Sequence, residues 1–164
     1  MSSFLYDMNN VLSTPLMQFL ADQNIAFRIL PHQSPATTIE DAAQQRGIRP
    51  SQMVKAILLR DMGHQYALAC APGDRNVDPK KVRALLQCRR MTCVAHADVE
   101  AITGYKVGTV TPLLLKRHMP IVFDPALLKE KEVTISSGDR MAGLALSIDD
   151  LVGLCCPTIA DICR

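Results

Sequence analysis

Aromatic residues are scarce in this sequence. It contains no tryptophan, and aromatic residues make up 4% of its 164 residues. Proteins that hold long single-stranded nucleic acids stack successive bases on aromatic side chains. A broad base-stacking surface is therefore not expected here.

Long apolar runs and targeting signals are also lacking. No segment approaches the roughly 18 uncharged apolar residues that a membrane-spanning helix needs. Residues 1–8 have neither a basic start nor a continuous apolar stretch, which a secretion signal would require. We therefore expect a cytoplasmic protein without a membrane partner.

The net charge is small. The formal charge is +2, whereas nucleic-acid binders usually have a much more basic balance. This charge permits RNA binding but does not demand it. Hydrophobic residues make up 48% of the chain, which is typical of a globular protein. Length and composition predict one domain spanning residues 1–164.

Cysteines are present, but their spacing lacks the pattern of a disulfide framework or a zinc site. They include no Cys-x-x-Cys pair, so we expect reduced, mostly buried thiols, no metal ion and no cofactor. Only the adjacent pair near the C-terminus leaves open a thiol-based redox or metal protein, although neighbouring cysteines rarely form a disulfide. The cysteines are Cys70, Cys88, Cys93, Cys155, Cys156 and Cys163.

Capping residues and apolar patterns predict alternating helices and strands. Helices are expected over residues 15–24, 39–46, 80–87 and 97–103. Strands are expected over residues 25–30, 53–60, 65–71, 92–95, 120–123, 133–136 and 144–147. Hairpins mixed with crossovers indicate an α/β (α+β) fold with a mixed, mainly antiparallel β-sheet flanked by helices.

A lysine stands within the predicted strand 53–60. Side chains alternate between the two faces of a strand, so Lys55 lies among apolar residues. Its face also carries Met53, Ile57 and Leu59. Burying an unpaired ammonium is costly. Either the lysine stem extends past these neighbours to solvent, or its charge meets an anionic group in a pocket.

Two polar loops follow later in the chain. Gly108 and Pro112 bracket the loop 108–112, whose small side chains and exposed backbone N–H groups suit close approach by a ligand. Residues 136–140 form a polar turn between two predicted strands, and this turn could place Asp139 and Arg140 at the rim of a pocket. Taken alone, each loop is more often an ordinary turn, so their combination carries more weight than either one.

The strand lysine and the two loops, in this order, resemble the YbaK/ProX family of aminoacyl-tRNA deacylases. Relatives of that family include the editing domain inserted in bacterial prolyl-tRNA synthetases. The resemblance covers about residues 14–154 and includes Pro31-His32 and the segments 37–43 and 72–78. It implies the fold of that editing domain.

The resemblance also implies a function and a set of catalytic residues. We expect a hydrolase that cleaves the ester of mis-acylated tRNA, acting in trans because no synthetase domain accompanies it. Lys55 would anchor the tRNA 3′ end, and the loop from Gly108 to Pro112 would position the ester carbonyl and the water that attacks it. The expected partner is the aminoacyl-tRNA acceptor end, with an aminoacyl-tRNA synthetase as a further candidate.

Four more residues are implied as substrate-binding: His32, Thr109, Thr111 and Asp139. Alanine, cysteine, serine and threonine esters all stay open as substrates, and so does the oligomeric state. Basic residues could contact tRNA phosphates, although solvated surfaces explain them equally well. They are Lys80, Lys81, Arg83, Arg89 and Arg90 in one group, and Lys116 and Arg117 in another.

The chain departs from the family pattern directly after the loop. Relatives commonly follow the loop proline with one residue and then glycine, whereas Pro112 is followed here by the three leucines 113–115. This difference leaves a second function open. The chain could be a non-catalytic module of the same fold that binds an aminoacyl or nucleotide group.

Overall fold

A computed structural model describes residues 13–164, which form helices packed on two β-sheets. The strands are β1 (Phe27–Pro31), β2 (Val54–Arg60), β3 (Tyr66–Pro72), β4 (Thr92–Cys93), β5 (Ile121–Phe123), β6 (Glu132–Ser136), β7 (Ala142–Ser147) and β8 (Thr158–Ile159). The α-helices are α1 (Pro15–Asp22), α2 (Ile39–Arg46), α3 (Pro79–Leu86), α4 (His96–Thr103) and α5 (Ile148–Cys155). Two short 3₁₀-helices are Pro50–Gln52 and Pro125–Lys129.

The two sheets differ in strand direction and are linked by a bridge. The smaller sheet has the strand order β1-β7-β6 and is antiparallel. The larger sheet has the order β4-β2-β3-β5-β8, in which β5 pairs in parallel with both β3 and β8. A parallel bridge between Met53 and Thr134 links the two sheets where β2 begins. The predicted fold class, a mixed and mainly antiparallel sheet flanked by helices, is confirmed.

Local sequence explains how the helices are bounded. The Thr38 hydroxyl accepts a hydrogen bond from the Asp41 amide at 2.9 Å, and Gly47 ends α2 in the left-handed conformation with φ 70°. N-caps and terminal glycines of this kind satisfy backbone groups that a helix end leaves unpaired. In residues 13–164 no helix has the length and apolar character needed to cross a membrane.

The five-stranded sheet separates two hydrophobic cores. Leu58 of β2 contacts the first core, which also includes Leu20 of α1 and Leu144 of β7. Leu59, on the opposite face, contacts the second core with Val82 of α3. Full burial of such aliphatic side chains stabilises the fold by about 1.5 to 3 kcal/mol each. Alternation along β2 and β3 therefore places successive apolar residues from Ala56 to Leu59 and from Tyr66 to Ala71 in the two cores by turns.

Some predicted boundaries were wrong. The first helix ends at Asp22 because Asn24 takes a positive φ of 57°, and β1 then begins at Phe27. The predicted strand 92–95 is reduced to Thr92–Cys93, since this edge pairs only with the end of β2. Helix α5 and strand β8 were not predicted.

Candidate functional site

Lys55 lies near the start of β2, on the face that bears Ile57 and Leu59. Both of these neighbours contact the second core, as alternation predicted. Met53 instead belongs to a small cluster with Ala42 of α2, because it precedes the regular part of the strand.

The Lys55 ammonium reaches the loop that follows β3. Its Nζ donates hydrogen bonds to the carbonyl oxygen of Arg75 and, at 3.5 Å, to Oδ1 of Asn76. Lys55 is half-buried, whereas Arg75 and Asn76 are exposed. The stem thus extends along the sheet to its solvent-facing end. An ammonium has three N–H donors, so one remains available to a ligand.

The loop 108–112 combines buried side chains with backbone donors that have no partner. The amides of Gly108, Val110 and Thr111 donate no hydrogen bond to any group in residues 13–164. The Thr111 hydroxyl is also buried without a partner within the described chain. Most buried polar groups in proteins are paired, so the buried Thr111 hydroxyl is unusual, whereas the amides of exposed Gly108 and half-buried Val110 are left free for water or a ligand.

The conformation of Gly108 leaves space beside these donors. Its φ is 87°, which favours glycine. A Cβ built at Gly108 would meet no atom within 4 Å. The loop therefore exposes its backbone, and not a side chain, at this point.

Contacts of neighbouring residues hold the loop in shape. The amide and hydroxyl of Thr109 both donate to the Lys106 carbonyl, at 2.9 and 2.8 Å. The Tyr105 hydroxyl donates to the Leu113 carbonyl at 2.5 Å and so closes the loop at its base. Burial raises the pKa of Tyr105 to about 12, so this hydroxyl keeps its proton at neutral pH.

The hairpin turn between β6 and β7 contacts the loop. The Arg140 guanidinium donates to the Val107 carbonyl at 3.0 Å. Asp139 shapes the turn itself, because its Oδ1 accepts from the Met141 amide at 2.7 Å. The buried Ser137 hydroxyl donates to the Ala142 carbonyl across the base of the turn at 2.7 Å.

His32 is buried between the same turn and helix α2. Its Nδ1 lies 2.6 Å from the Arg140 carbonyl, and its Nε2 accepts from Nε of Arg46 at 3.1 Å. A carbonyl only accepts and a guanidinium only donates, so these partners require the neutral ring with its proton on Nδ1. Burial lowers the pKa of His32 and supports this state.

Arg46 completes the buried group. Its Nη1 donates to the Thr134 hydroxyl at 3.0 Å, and no carboxylate of residues 13–164 pairs with it. Burial lowers the pKa of Arg46 to about 10. Arg46 was not among the predicted site residues. Gly143 leaves room for its guanidinium, because an added Cβ there would overlap Nε of Arg46, but no sequence pattern brings these two residues together.

The structure thus brings some of the predicted site residues together. The loop 108–112, Asp139 and His32 are joined through Arg140. Lys55 is bonded to residues of a different loop. Val107, Val110 and Leu113 contact the first core, whereas the strand face of Lys55 belongs to the second.

Two clefts lie beyond the end of the loop. The first cleft, of about 680 Å³, is lined by the segment 112–121 together with Phe19, Leu154, Cys155, Cys156 and Thr158. The second cleft, of about 350 Å³, is lined by His64, Gln65, Tyr66, Leu86, Cys88, Met91, Arg117, His118 and Pro120. Neither of these two clefts is lined by Lys55.

The adjacent cysteines contribute to the first cleft wall. Cys155 Sγ donates to the Pro112 carbonyl at 3.4 Å, and burial raises the pKa of its thiol to about 12. A thiol with a raised pKa is a poor nucleophile at neutral pH. Within residues 13–164 no three His, Cys, Asp or Glu side chains are grouped as metal ligands would be.

Comparison with known proteins identifies the family. A family model described as the aminoacyl-tRNA editing domain matches residues 33–154, a range that contains Lys55, the loop 108–112 and the hairpin turn. The chain belongs to this family. The resemblance inferred from the sequence is therefore confirmed.

Individual relatives of this editing domain show how far the similarity extends. The proline–tRNA ligase of Bacillus licheniformis is 34% identical over 96 residues, which cover 58% of this chain but only 17% of the ligase. EbsC of Enterococcus faecalis, provisionally named a Cys-tRNA(Pro)/Cys-tRNA(Cys) deacylase, is 23% identical with 75% of each chain covered. The solved structure of hypothetical protein APE2540 has a TM-score of 0.84 and 26% identity, covering 91% of this chain and 99% of its own.

Proposed function

We propose that this editing domain hydrolyses the ester bond of mis-acylated tRNA and does so in trans. The observation that carries the proposal is the group of unpaired amides at Gly108, Val110 and Thr111. They lie on a loop whose shape is fixed by Tyr105 and Arg140. Fixed backbone donors stabilise the negative charge that develops on an ester oxygen during attack.

The reaction needs no nucleophilic side chain. A water oxygen bonds to the ester carbon, and the carbonyl oxygen gains negative charge beside the loop amides. The bond from that carbon to the ribose oxygen then breaks, and a proton passes from the attacking water to the ribose oxygen. The products are a free amino acid and tRNA with its terminal hydroxyl restored. Loss of one such amide donor typically lowers kcat by about 10² to 10³.

Lys55 is proposed to anchor the tRNA 3′ end with its remaining N–H donor. Its two protein partners, the Arg75 carbonyl and Asn76 Oδ1, are both uncharged. The positive charge is therefore not neutralised by these contacts and can pair with a phosphate. Hydrogen bonds to charged groups contribute about 1.5 to 3 kcal/mol.

The proposed substrate-binding residues differ in what they can still bind. The Thr111 hydroxyl has no partner in the described chain but is buried, so it can contact the aminoacyl group only if the loop shifts. Thr109 is bonded to Lys106, Asp139 to Met141 and His32 to two groups. We propose that Thr109 and Asp139 shape the site around the substrate. A contact from the His32 ring to substrate would have to replace one of its present bonds.

The names of the relatives suggest the first substrates to test. One is a proline–tRNA ligase, and another carries a provisional name as a deacylase of Cys-tRNA(Pro). The aminoacylation site of a tRNA synthetase rejects a smaller amino acid by only about 1 to 3 kcal/mol for each missing methylene. A second, hydrolytic site corrects such errors. We propose tRNA(Pro) carrying a small amino acid, cysteine or alanine, as the substrate.

A deacylation panel tests the function. Purified protein is mixed with tRNA(Pro) charged with cysteine, alanine, serine, threonine or proline, and the remaining ester is followed with time. We expect hydrolysis of at least one small aminoacyl ester and little hydrolysis of the prolyl ester. Absence of hydrolysis with every ester would refute the proposal. Tight binding of charged tRNA without turnover would instead favour a non-catalytic binding module.

The loop is tested by a matched pair of glycine variants. Gly108→Ala places a Cβ in the open space beside the free amides, and we expect at least a tenfold loss of kcat/KM. Gly47→Ala is the control, because Gly47 has a similar φ of 70° and also no atom within 4 Å of its Cβ position. Its expected loss of activity is less than about twofold, since the backbone strain is similar and the loop is untouched. Equal activity losses in the two variants would count against the proposed catalytic role of the loop 108–112.

A second pair tests Lys55. Lys55→Ala removes the proposed anchor, and we expect about a tenfold or larger rise in KM for charged tRNA. Lys129→Ala removes an exposed lysine at the end of a 3₁₀-helix and should leave KM within about twofold. Unchanged kinetics of Lys55→Ala would remove the anchor from the mechanism but leave the loop in place.

A further inference from the structure

The two clefts beyond the loop share one wall. Arg117, His118 and Pro120 line both of them, so the segment 116–118 forms a ridge between them. Pro112 ends the loop and also lines the first cleft. The first cleft, of which the ridge is one wall, therefore begins at the last residue of the loop that carries the proposed site of hydrolysis.

No carboxylate lines either cleft, although the chain contains 16 Asp and Glu residues. The ridge carries Lys116, Arg117 and His118, all of them exposed. Within residues 13–164 neither Lys116 nor Arg117 forms an ion pair. The positive charge here is local, because the whole chain has a formal charge of only +2. An un-neutralised basic ridge favours an anionic partner.

Planar groups accompany this charge. The Arg117 guanidinium lies 5.0 Å from the centre of the Tyr66 ring, and Tyr66 lines the second cleft. The half-buried Phe19 lines the first. Unpaired bases stack on aromatic rings and on arginine while their phosphates meet basic side chains. Cleft volumes of about 680 and 350 Å³ are in the range of small-ligand sites, which suits single nucleotides better than a duplex.

We propose that the ridge 116–118 and its two clefts bind the unpaired 3′ end of an RNA and direct its terminal nucleotide towards the loop 108–112. This inference rests on the proposed function, because it takes the loop as the place of hydrolysis. The basic ridge binds the phosphates, and the clefts receive the bases. Few aromatic residues are needed, since only a few nucleotides are held.

Binding of an uncharged RNA tests the ridge without any reaction. The probe is a fluorescently labelled single-stranded RNA with the sequence of the tRNA(Pro) acceptor 3′ end. The double variant Lys116→Ala/Arg117→Ala should weaken binding about tenfold or more at low salt. The slope of log K against log[salt] should also become shallower by about 0.7 for each phosphate that the variant no longer binds.

A control variant carries the same change in charge elsewhere. Lys129→Ala/Lys131→Ala also removes two exposed lysine charges, and neither lysine forms an ion pair in the described chain. These residues follow the C-terminal end of β5, whereas the ridge precedes its N-terminal end. The control should bind RNA within about twofold of wild type. Equal weakening in both double variants, or equal affinity for a blunt duplex, would overturn the inference.

Two substrates separate this inference from the proposed function. The ridge variant should raise KM for charged tRNA, yet hydrolyse an aminoacyl ester of adenosine, which lacks upstream phosphates, at the wild-type rate. An unchanged KM of the ridge variant for charged tRNA would refute RNA binding by the ridge, and the hydrolysis measured with wild type would still stand. If wild type hydrolyses neither substrate, the proposed function fails, and the RNA-binding comparison still decides whether the ridge binds RNA.

Discussion

Arg140 and Val107 connect the hairpin turn to the loop. The guanidinium Nη2 of Arg140 donates to the Val107 carbonyl at 3.0 Å, and Val107 directly precedes Gly108. The Arg140 carbonyl in turn lies 2.6 Å from Nδ1 of His32. The position of Gly108 therefore depends on a residue that is 33 positions away in sequence from Val107.

Arg140→Ala should lower kcat more than it changes KM. The variant removes a hydrogen bond that holds the loop but makes no proposed contact with tRNA. A charge-assisted hydrogen bond contributes about 1.5 to 3 kcal/mol, so its loss should lower kcat by about tenfold or more. Steady-state deacylation kinetics measure the changes in kcat and KM separately. Arg49→Ala is the control, because it breaks an ion pair with Glu130 at 2.9 Å away from the loop. Wild-type kcat in Arg140→Ala would show that the contact is not needed.

Tyr105→Phe should loosen the base of the loop. It removes the hydroxyl that donates to the Leu113 carbonyl at 2.5 Å, and it leaves that acceptor without its partner. We expect a loss of about 1 to 2 kcal/mol in the free energy of unfolding, with a fall in kcat. Urea unfolding measures the first effect. Tyr66→Phe is the stability control, since Tyr66 is half-buried and its ring, which contacts Arg117, is kept in the variant, and it should change stability by less than about 0.5 kcal/mol.

Local patterns predicted much of the fold. Helix α2 followed from Thr38 and Gly47, whose conformations match their roles at its two ends. Helix α5 was missed although its signal was present. The Ser147 hydroxyl accepts from the amides of Asp149 and Asp150, but Ser147 also ends β7 and was assigned only to that strand. Strand β8 has two residues and depends on parallel pairing with β5, so no local pattern marks it.

The site was predictable only in part for the same reason. Gly108 and Pro112 marked the loop with its exposed backbone, but the φ of 87° at Gly108 comes from the structure. Which amides stay unpaired depends on every neighbour of the loop and cannot be read from the loop sequence. Contacts between residues distant in sequence, such as Arg140 with Val107 and Arg46 with His32, are invisible to periodicity.

Two glycine-to-alanine variants should change stability in opposite directions. At Gly143 an added Cβ would overlap Nε of Arg46, so it would push the guanidinium away from His32 and Thr134. We expect a loss of about 1 to 3 kcal/mol from overpacking and broken hydrogen bonds. Gly153 lies within α5, and its Cβ position has no atom within 4 Å. Gly153→Ala should stabilise the protein by about 0.4 to 1 kcal/mol. Urea unfolding of both variants measures the change in the free energy of unfolding and its sign. Stabilisation by Gly143→Ala would contradict the described packing of Arg46 against Gly143.

The stability of this protein should fall on acidification through His32. Burial lowers the pKa of His32 below its ordinary value of 6.5, and Arg46 lowers it further, while the Arg140 carbonyl, Asp41 and Asp139 act in the opposite direction. The unfolded chain therefore takes up a proton before the folded protein does. The contribution of neutral His32 is fully present above about pH 6.5 and is lost as the pH falls towards the lower folded pKa.

His32→Asn separates this effect from other acid-sensitive groups. Asparagine can keep a donor towards the Arg140 carbonyl, but it does not titrate and its shorter side chain cannot reach Arg46 as the ring does. The variant should be less stable than wild type at about pH 7.5, and this difference should shrink at about pH 5. Urea unfolding at the two pH values measures both free energies. A difference that stays constant would show that His32 does not control the pH response. Protonation of the ring would place a second positive charge beside Arg46 at the 3.1 Å contact, so the same acidification should break that contact, whereas the bond from Nδ1 to the Arg140 carbonyl is kept.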